Sequence, residues 1–370
     1  MIRSLEGMRG IAALIVALYH LGIGAQHVAV IRNGYLFVDL FFVLSGFIMC
    51  AAYGRRLTGG EDLRVFLIRR IGRLFPLLVF STLAFILAAN AVVFAKRLLL
   101  ERGYGAMLHN PDGLQWVIPT ASEILATVTL THSMGVFDDL ILNTPSWSIS
   151  VEFWAYVLFA LLCLGLTGRN RLMMFGAVSV VAAVITVWAS VTVHQCLVQR
   201  GCLSLTYDFG FPRAVFSFFL GALAFYASRH VRGMHGMLQA ASLVLLAVVF
   251  LVVDHAPGIA FILPLVFALL ILSVCSDEGP MSSLLRPRFF QLLGLWSYSI
   301  YLMHMPLLLF FENLSRRFDG LFGGIAVMAS FVAVLLAVSA WTYRYVEDPM
   351  RAWFNRMAVR REVPAGSTNL

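Results

Sequence analysis

At 370 residues the chain is 60% hydrophobic and 12% charged. A soluble globular domain carries roughly 45–50% apolar and about 25% charged residues, so an ordinary soluble fold is excluded and no room remains for a sizeable soluble domain. The formal charge of +8 fits arginines in loops and against anionic headgroups, and no nucleic-acid partner is expected.

Apolar stretches long enough to cross a hydrocarbon core of about 30 Å as helices recur along the chain. They predict an all-α fold, a polytopic integral membrane bundle of about ten transmembrane helices at 8–26, 34–53, 74–95, 147–167, 172–193, 211–228, 236–253, 258–275, 292–312 and 321–345. The first follows Arg3, Glu6 and Arg9 and ends without a small-x-small cleavage site, so it reads as a retained helix. Arg9 and His20 are eleven residues apart. Eleven steps of 100° put both on one face, about 16 Å apart along the axis. On the plain reading Arg9 anchors the helix and His20 is a satisfied buried histidine. On the functional reading both are suspects, because ionisable groups inside a span are costly.

In the second helix, Ser45-Gly46 is a small pair suited to close helix contact, whereas Asp39 is a carboxylate inside the span and needs a partner. Six arginines lie at 55–73. Arg69, Arg70 and Arg73 open the third helix and could grip the phosphates of a nucleotide-bearing co-substrate or serve only as positive-inside anchors. The break at 96–146 contains an apolar piece near 117–131, too short to span and expected to be interfacial or re-entrant.

The fourth helix begins at Thr144-Pro145, a plausible cap and first turn. Ser148 and Glu152, four apart, share a face, and Trp147 and Trp154 suit an aromatic belt. Cys196 and Cys202 share the loop after the fifth helix. They are read either as a disulfide in an oxidising compartment or as two unrelated small residues. The other cysteines read as core residues, and no metal site is expected. The ninth helix carries Tyr301 and His304. Counted from the inner helix ends, His20 and His304 lie at similar depth, and Asp39 and Glu152 enter from the outer side, so all four are expected to converge in the outer half. Loop arginines favour both termini in the cytoplasm. Residues 1–350 form one transmembrane domain, followed by a basic, partly disordered cytoplasmic tail at 351–370.

Six pieces together resemble the bacterial acyltransferase 3 family of membrane-bound O-acyltransferases, over Ile2 to about Arg351. They are Arg9-x10-His20; Phe41-Phe42-Val43-Leu44-Ser45-Gly46-Phe47; Arg70-x2-Arg73-x2-Pro76; Ser146-Trp147-Ser148-x3-Glu152-x3-Tyr156; Tyr298-Ser299-x-Tyr301-Leu302-x-His304; and Tyr345-x-Glu347-x-Pro349. Gly72 stands where some members complete an Arg-x-Arg. The resemblance implies transfer of an acyl group, commonly acetyl from cytoplasmic acetyl-coenzyme A, to hydroxyls of a glycan or lipid-linked glycan, in the inner membrane of a bacterium. It implies His20 as a catalytic residue, with Arg9 and the arginines of the third helix required for activity.

Thioester-to-alcohol transfer needs a base near the hydroxyl, and histidine suits that role at neutral pH. Glu152 or Asp39 is placed to orient the imidazole. The expected catalytic set is therefore His20, Glu152, Asp39 and His304. Arg9, Arg69, Arg70 and Arg73 are expected on the acyl-coenzyme A, and Ser146, Trp147, Ser148 and Tyr301 on substrate. No nucleophile elbow, His-Glu-x-x-His or phosphate loop occurs. Within these residues no hydrolase domain follows, so the acyl group is expected to reach its acceptor in the membrane portion or on a separate protein. The rival reading is a secondary transporter or proton-coupled flippase using the same buried groups as a relay.

Overall fold

The computed structural model describes residues 2–25, 27–104, 114–231, 233–317 and 320–359. Among them, ten helices are long and apolar enough to cross a membrane and no strand occurs. The chain is an all-α, multi-pass membrane bundle. In chain order the helices are α1 (Arg3–Leu21), α2 (Phe37–Tyr53), α3 (Gly60–Glu101), a short α4 (Ala121–Val128), α5 (Trp147–Gly165), α6 (Gly168–Trp188), α7 (Gly210–Ala227), α8 (His235–Val252), α9 (Leu263–Val274), α10 (Arg288–Arg317), α11 (Leu321–Thr342) and α12 (Asp348–Val359). Ten crossings return both ends of the bundle to one face, here the terminal face; the other is the far face.

Each predicted segment coincides with a span, and the differences lie at the ends. α1 starts and stops five residues early. The Asp277 carboxylate, in the loop before α10, accepts from the N–H groups of Arg3 and Ser4 at 3.0 and 2.7 Å, satisfying donors that a helix start leaves open. Gly22, at φ 74°, closes the helix after Leu21 as a left-handed C-terminal glycine does. His20 thus lies in the last turn of α1 rather than about six residues before the helix end. α3 has 42 residues, about 63 Å at 1.5 Å per residue, so Arg69, Arg70 and Arg73 lie inside it rather than at its mouth. The apolar piece near 117–131 becomes α4, eight residues closed by a Thr120–Glu123 capping box and too short to span.

Three close contacts set the packing. A Cβ at Gly10 would meet backbone atoms of Leu293 and Gly294 at 2.5 and 2.6 Å, and one at Gly294 would meet the Glu6 carbonyl oxygen at 2.2 Å. α1 and α10 therefore touch backbone to backbone, as small residues permit in a bilayer. Both start at the terminal face and run parallel. A Cβ at Gly46 or Gly221 would fall 1.8 Å from the carbonyl oxygen of Phe218 or Val43. This seals the parallel α2–α7 pair and gives Ser45-Gly46 the packing role read from sequence. Gly72 receives Phe354 of α12, whose Cβ would be 2.2 Å from an added methyl.

Between α11 and α12 the chain makes a π turn, Tyr343–Glu347. Residues 351–359, expected in the tail, continue α12; residues 360–370 and Arg232 lie outside the described residues. The loop after α6 is closed by a disulfide between Cys196 and Cys202, with α-carbons 4.8 Å apart, so the bridged reading holds.

Gly294→Val should destabilise the protein by about 2–3 kcal/mol, the upper range for overpacking, because the obstacle is backbone. Gly176, with open space around it, is the control. Thermal melting in detergent checks this, and equal midpoints for Gly294→Val and Gly176→Val would contradict the close crossing.

Candidate active site: two cavities meeting at Tyr301

The parallel register of α1 and α10 places equal spacing on both helices: His20 is ten residues after Gly10 and His304 ten after Gly294. The two rings consequently meet, with centroids 4.9 Å apart and His304 Nε2 3.2 Å from His20 Nδ1. The same Nδ1 is 3.0 Å from the Val16 carbonyl oxygen. A carbonyl only accepts, so neutral His20 carries its proton on Nδ1 and keeps Nε2 as the basic nitrogen. His304 is fully buried and backs the His20 ring.

His20 lines a far-face cavity of about 680 Å³. Tyr19, Tyr35 and Trp147 give it aromatic walls, and Asn33, Thr144 and Thr206 give it polar ones. Arg32, Arg200 and Arg213 supply cationic groups, His255 an imidazole and Asp254 a carboxylate. Arg32 pairs with Asp254, and that hydrogen bond holds the Asp254 carboxyl below the ordinary carboxylate range.

A second cavity, of about 130 Å³, lies toward the terminal face, with Arg9, Arg70, Arg73, Ser45 and Glu152 in its wall. Tyr301 lines both cavities. Its hydroxyl meets Ser148 Oγ at 2.8 Å, and Phe41 packs against its edge with centroids 5.6 Å apart. Together these three side chains form the partition.

The four expected catalytic groups do not share one depth. Ser148, Glu152 and Tyr156 form one stripe of α5, each a turn further from the far face. Ser148 meets Tyr301, so Glu152 lies beyond the partition, where it accepts from Ser45 Oγ and from Tyr156 at 2.6 Å. Among the described residues no hydrogen bond joins it to either imidazole. Asp39, with no exposed surface, accepts from Arg213 Nη2 at 2.7 Å and from Ser217 at 2.8 Å. That closed ion pair follows from the α2–α7 crossing: Asp39 precedes Gly46 by seven residues and Arg213 precedes Gly221 by eight on the parallel partner.

The arginines also differ. Arg9 donates to Ser297 at 2.9 Å and lies 3.4 Å from Glu6. Arg73 is paired with Glu347, which also accepts from Ser299 at 3.1 Å. Arg70 sits among the rings of Tyr53, Phe66 and Tyr156 at 5.5–6.0 Å, and no carboxylate among the described residues is within ion-pair distance. Arg69 lies outside the cavity wall. Trp147 lines the far-face cavity with the Arg213 guanidinium 5.3 Å from its ring. Ser146 is buried against His132 at 3.1 Å and lines neither cavity. Arg213, Glu347 and the two tyrosines beside His20 were not among the residues expected at the site.

The family model described as "Acyltransferase domain" matches residues 2–344. Among similar curated proteins, "Putative peptidoglycan O-acetyltransferase YrhL" of Bacillus subtilis is 26% identical, over 97% of this chain and 56% of its own length. "O-acetyltransferase OatA" of Staphylococcus aureus is 24% identical, over 94% of this chain and 57% of its own. "Protein 2 in picA locus" of Rhizobium radiobacter is 32% identical, over 42% of this chain and 79% of its own. The chain thus spans little more than half the length of the two O-acetyltransferases. No solved structure gives a significant match.

Asp39→Ala should cost about 3–5 kcal/mol, because it strands a buried guanidinium, whereas Asp39→Leu with Arg213→Met should recover most of that loss. Melting of the single and double variants checks this. A double variant that folds yet has lost all activity would assign the pair a role beyond architecture.

Proposed function

Because the chain belongs to the acyltransferase 3 family, we propose that it moves an acyl group, most simply acetyl, from acyl-coenzyme A to a hydroxyl of a surface or exported glycan. The observation that carries this reading is the pair of cavities on opposite sides of one partition. One is flanked by arginines toward the terminal face and the other by the His20–His304 pair toward the far face. In this reading the terminal face is cytoplasmic, and the bundle sits in the inner membrane with the disulfide outside, where oxidation is permitted. The excess of arginine in terminal-face loops supports that orientation.

The donor comes from the terminal face. A volume of about 130 Å³ is below the roughly 300 Å³ at which drug-sized pockets begin, so it takes the acyl-thioester end and leaves the nucleotide at the mouth. Arg70 is the arginine for the donor's negative charge, since Glu347 already compensates Arg73 and Glu6 with Ser297 occupies Arg9. The acceptor comes from the far face, where Tyr19, Tyr35 and Trp147 offer flat apolar surfaces to sugar rings.

His20 Nε2 removes the hydroxyl proton, the oxygen attacks the thioester carbonyl, the new C–O bond forms and the C–S bond breaks. Coenzyme A leaves as the thiol after taking up that proton. His304 holds the His20 ring with Nε2 toward the cavity. For the two substrates to meet, the thioester passes the partition of Phe41, Ser148 and Tyr301. Glu152, on the donor side, positions Ser45 and Tyr156 around the thioester end.

Transfer of labelled acetyl from acetyl-coenzyme A to cell-envelope glycan in proteoliposomes tests this proposal. His20→Ala should lower transfer by about 100-fold or more, the usual cost of a lost general base, and more than a tenth of wild-type transfer would remove His20 from that role. Arg70→Ala should raise the donor KM about tenfold or more, as loss of a charge-assisted hydrogen bond does, with Arg70→Lys recovering part. An unchanged KM in Arg70→Ala would reduce that arginine to a topology signal. Absence of transfer by folded wild type to any envelope fraction would overturn the acyltransfer reading.

A further inference from the structure

The far-face cavity holds an imbalance of charge that acyl transfer does not require. Two of its three arginines are matched: Arg32 by Asp254 and Arg213 by Asp39. Arg200 is exposed, lines the cavity, and has no carboxylate within ion-pair distance among the described residues. His255 adds a titratable nitrogen to the same wall.

Arg200 is also held in place. It occupies the left-handed region at φ 58°, as does Gln195 at φ 47°, a conformation that non-glycine residues adopt at a cost. The two residues bracket the turn Cys196–Gln199, which the Cys196–Cys202 disulfide ties off. Tyr35, in the same cavity wall, donates from its hydroxyl to the Cys202 carbonyl at 3.1 Å. A strained, doubly tethered loop presenting one uncompensated guanidinium to a cavity is the arrangement of a binding group.

We infer that the far-face cavity binds its acceptor through an oxyanion on the glycan, a carboxylate or a phosphate, held by Arg200. The word acceptor rests on the acyltransfer reading above; the anion site does not. A carboxylate would come from an acidic sugar, and a phosphate from the linkage that joins a glycan to a lipid carrier.

Protein in nanodiscs is titrated, by saturation-transfer NMR, with two probe pairs: glucuronate against glucuronamide, and glucose 1-phosphate against glucose. Wild type should bind a charged member about fivefold more tightly than its neutral counterpart, near the upper range for exposed ion pairs, with the preference shrinking at about 0.5 M salt. The preferred pair names the source of the anion. Arg200→Gln should erase the preference and Arg200→Lys should keep part of it. Equal binding of charged and neutral probes by wild type, or an undiminished preference in Arg200→Gln, would overturn the inference. A preference in protein that transfers no acetyl would uphold the anion site and remove the acyltransferase reading.

Discussion

Everything at the centre of this molecule depends on how closely α1 and α10 approach. Gly10 and Gly294 let two parallel backbones touch at a point where any side chain would collide with main chain. Parallel helices in contact keep the same rise, so a point ten residues on in one faces a point ten residues on in the other. Histidine occupies both positions. A wider crossing would leave two separate imidazoles, each in its own pocket. The close crossing instead sets one against the other, and the inner ring becomes a wall for the outer one.

The second constraint is the expense of charge in a medium without water. Asp39 is matched by Arg213, Arg73 by Glu347 and Arg9 by Glu6, and Glu152 is satisfied by two hydroxyls. Against this background the two cavity-lining arginines without a carboxylate among the described residues, Arg70 on one side and Arg200 on the other, stand out. They lie beside the two cavities, where an incoming anion can do what a carboxylate does elsewhere in the fold.

Helix number, the packing role of Ser45-Gly46 and the family were legible in the sequence, because each depends on local composition or on short spacing. Depth was not. Counting from assumed helix ends placed His20 in the outer half but well short of the helix end, while a cap from Asp277, in a distant loop, and the left-handed Gly22 set the true ends. Glu152 was grouped with the histidines because counting inward from the outer side put it at a similar depth. The stripe it shares with Ser148 and Tyr156 carries it one turn further, past Tyr301. Arg213 was hidden by its position four residues into a helix, where it looks like a loop anchor. Its signal was there in the spacing to Gly221, which nearly equals that from Asp39 to Gly46, but reading it requires knowing that α2 and α7 are parallel partners. Gly72, which breaks an arginine pattern, owes its identity to Phe354, a partner nearly three hundred residues away.

The π turn at Tyr343–Glu347 shows how a small local change can have a large geometric effect. α11 turns apolar side chains such as Phe322, Ile325 and Trp341 outward to lipid, while α12, continuing the same helical path, packs the half-buried Phe354 against α3. A π turn accommodates one more residue than an α turn, and one residue corresponds to about 100° of helix phase. The turn works as a gear shift, rotating the packed side from one neighbour to another while the chain runs on unbroken. It also turns Glu347 inward at the shift itself, so the residue that neutralises Arg73 is supplied by the irregularity rather than by either flanking helix.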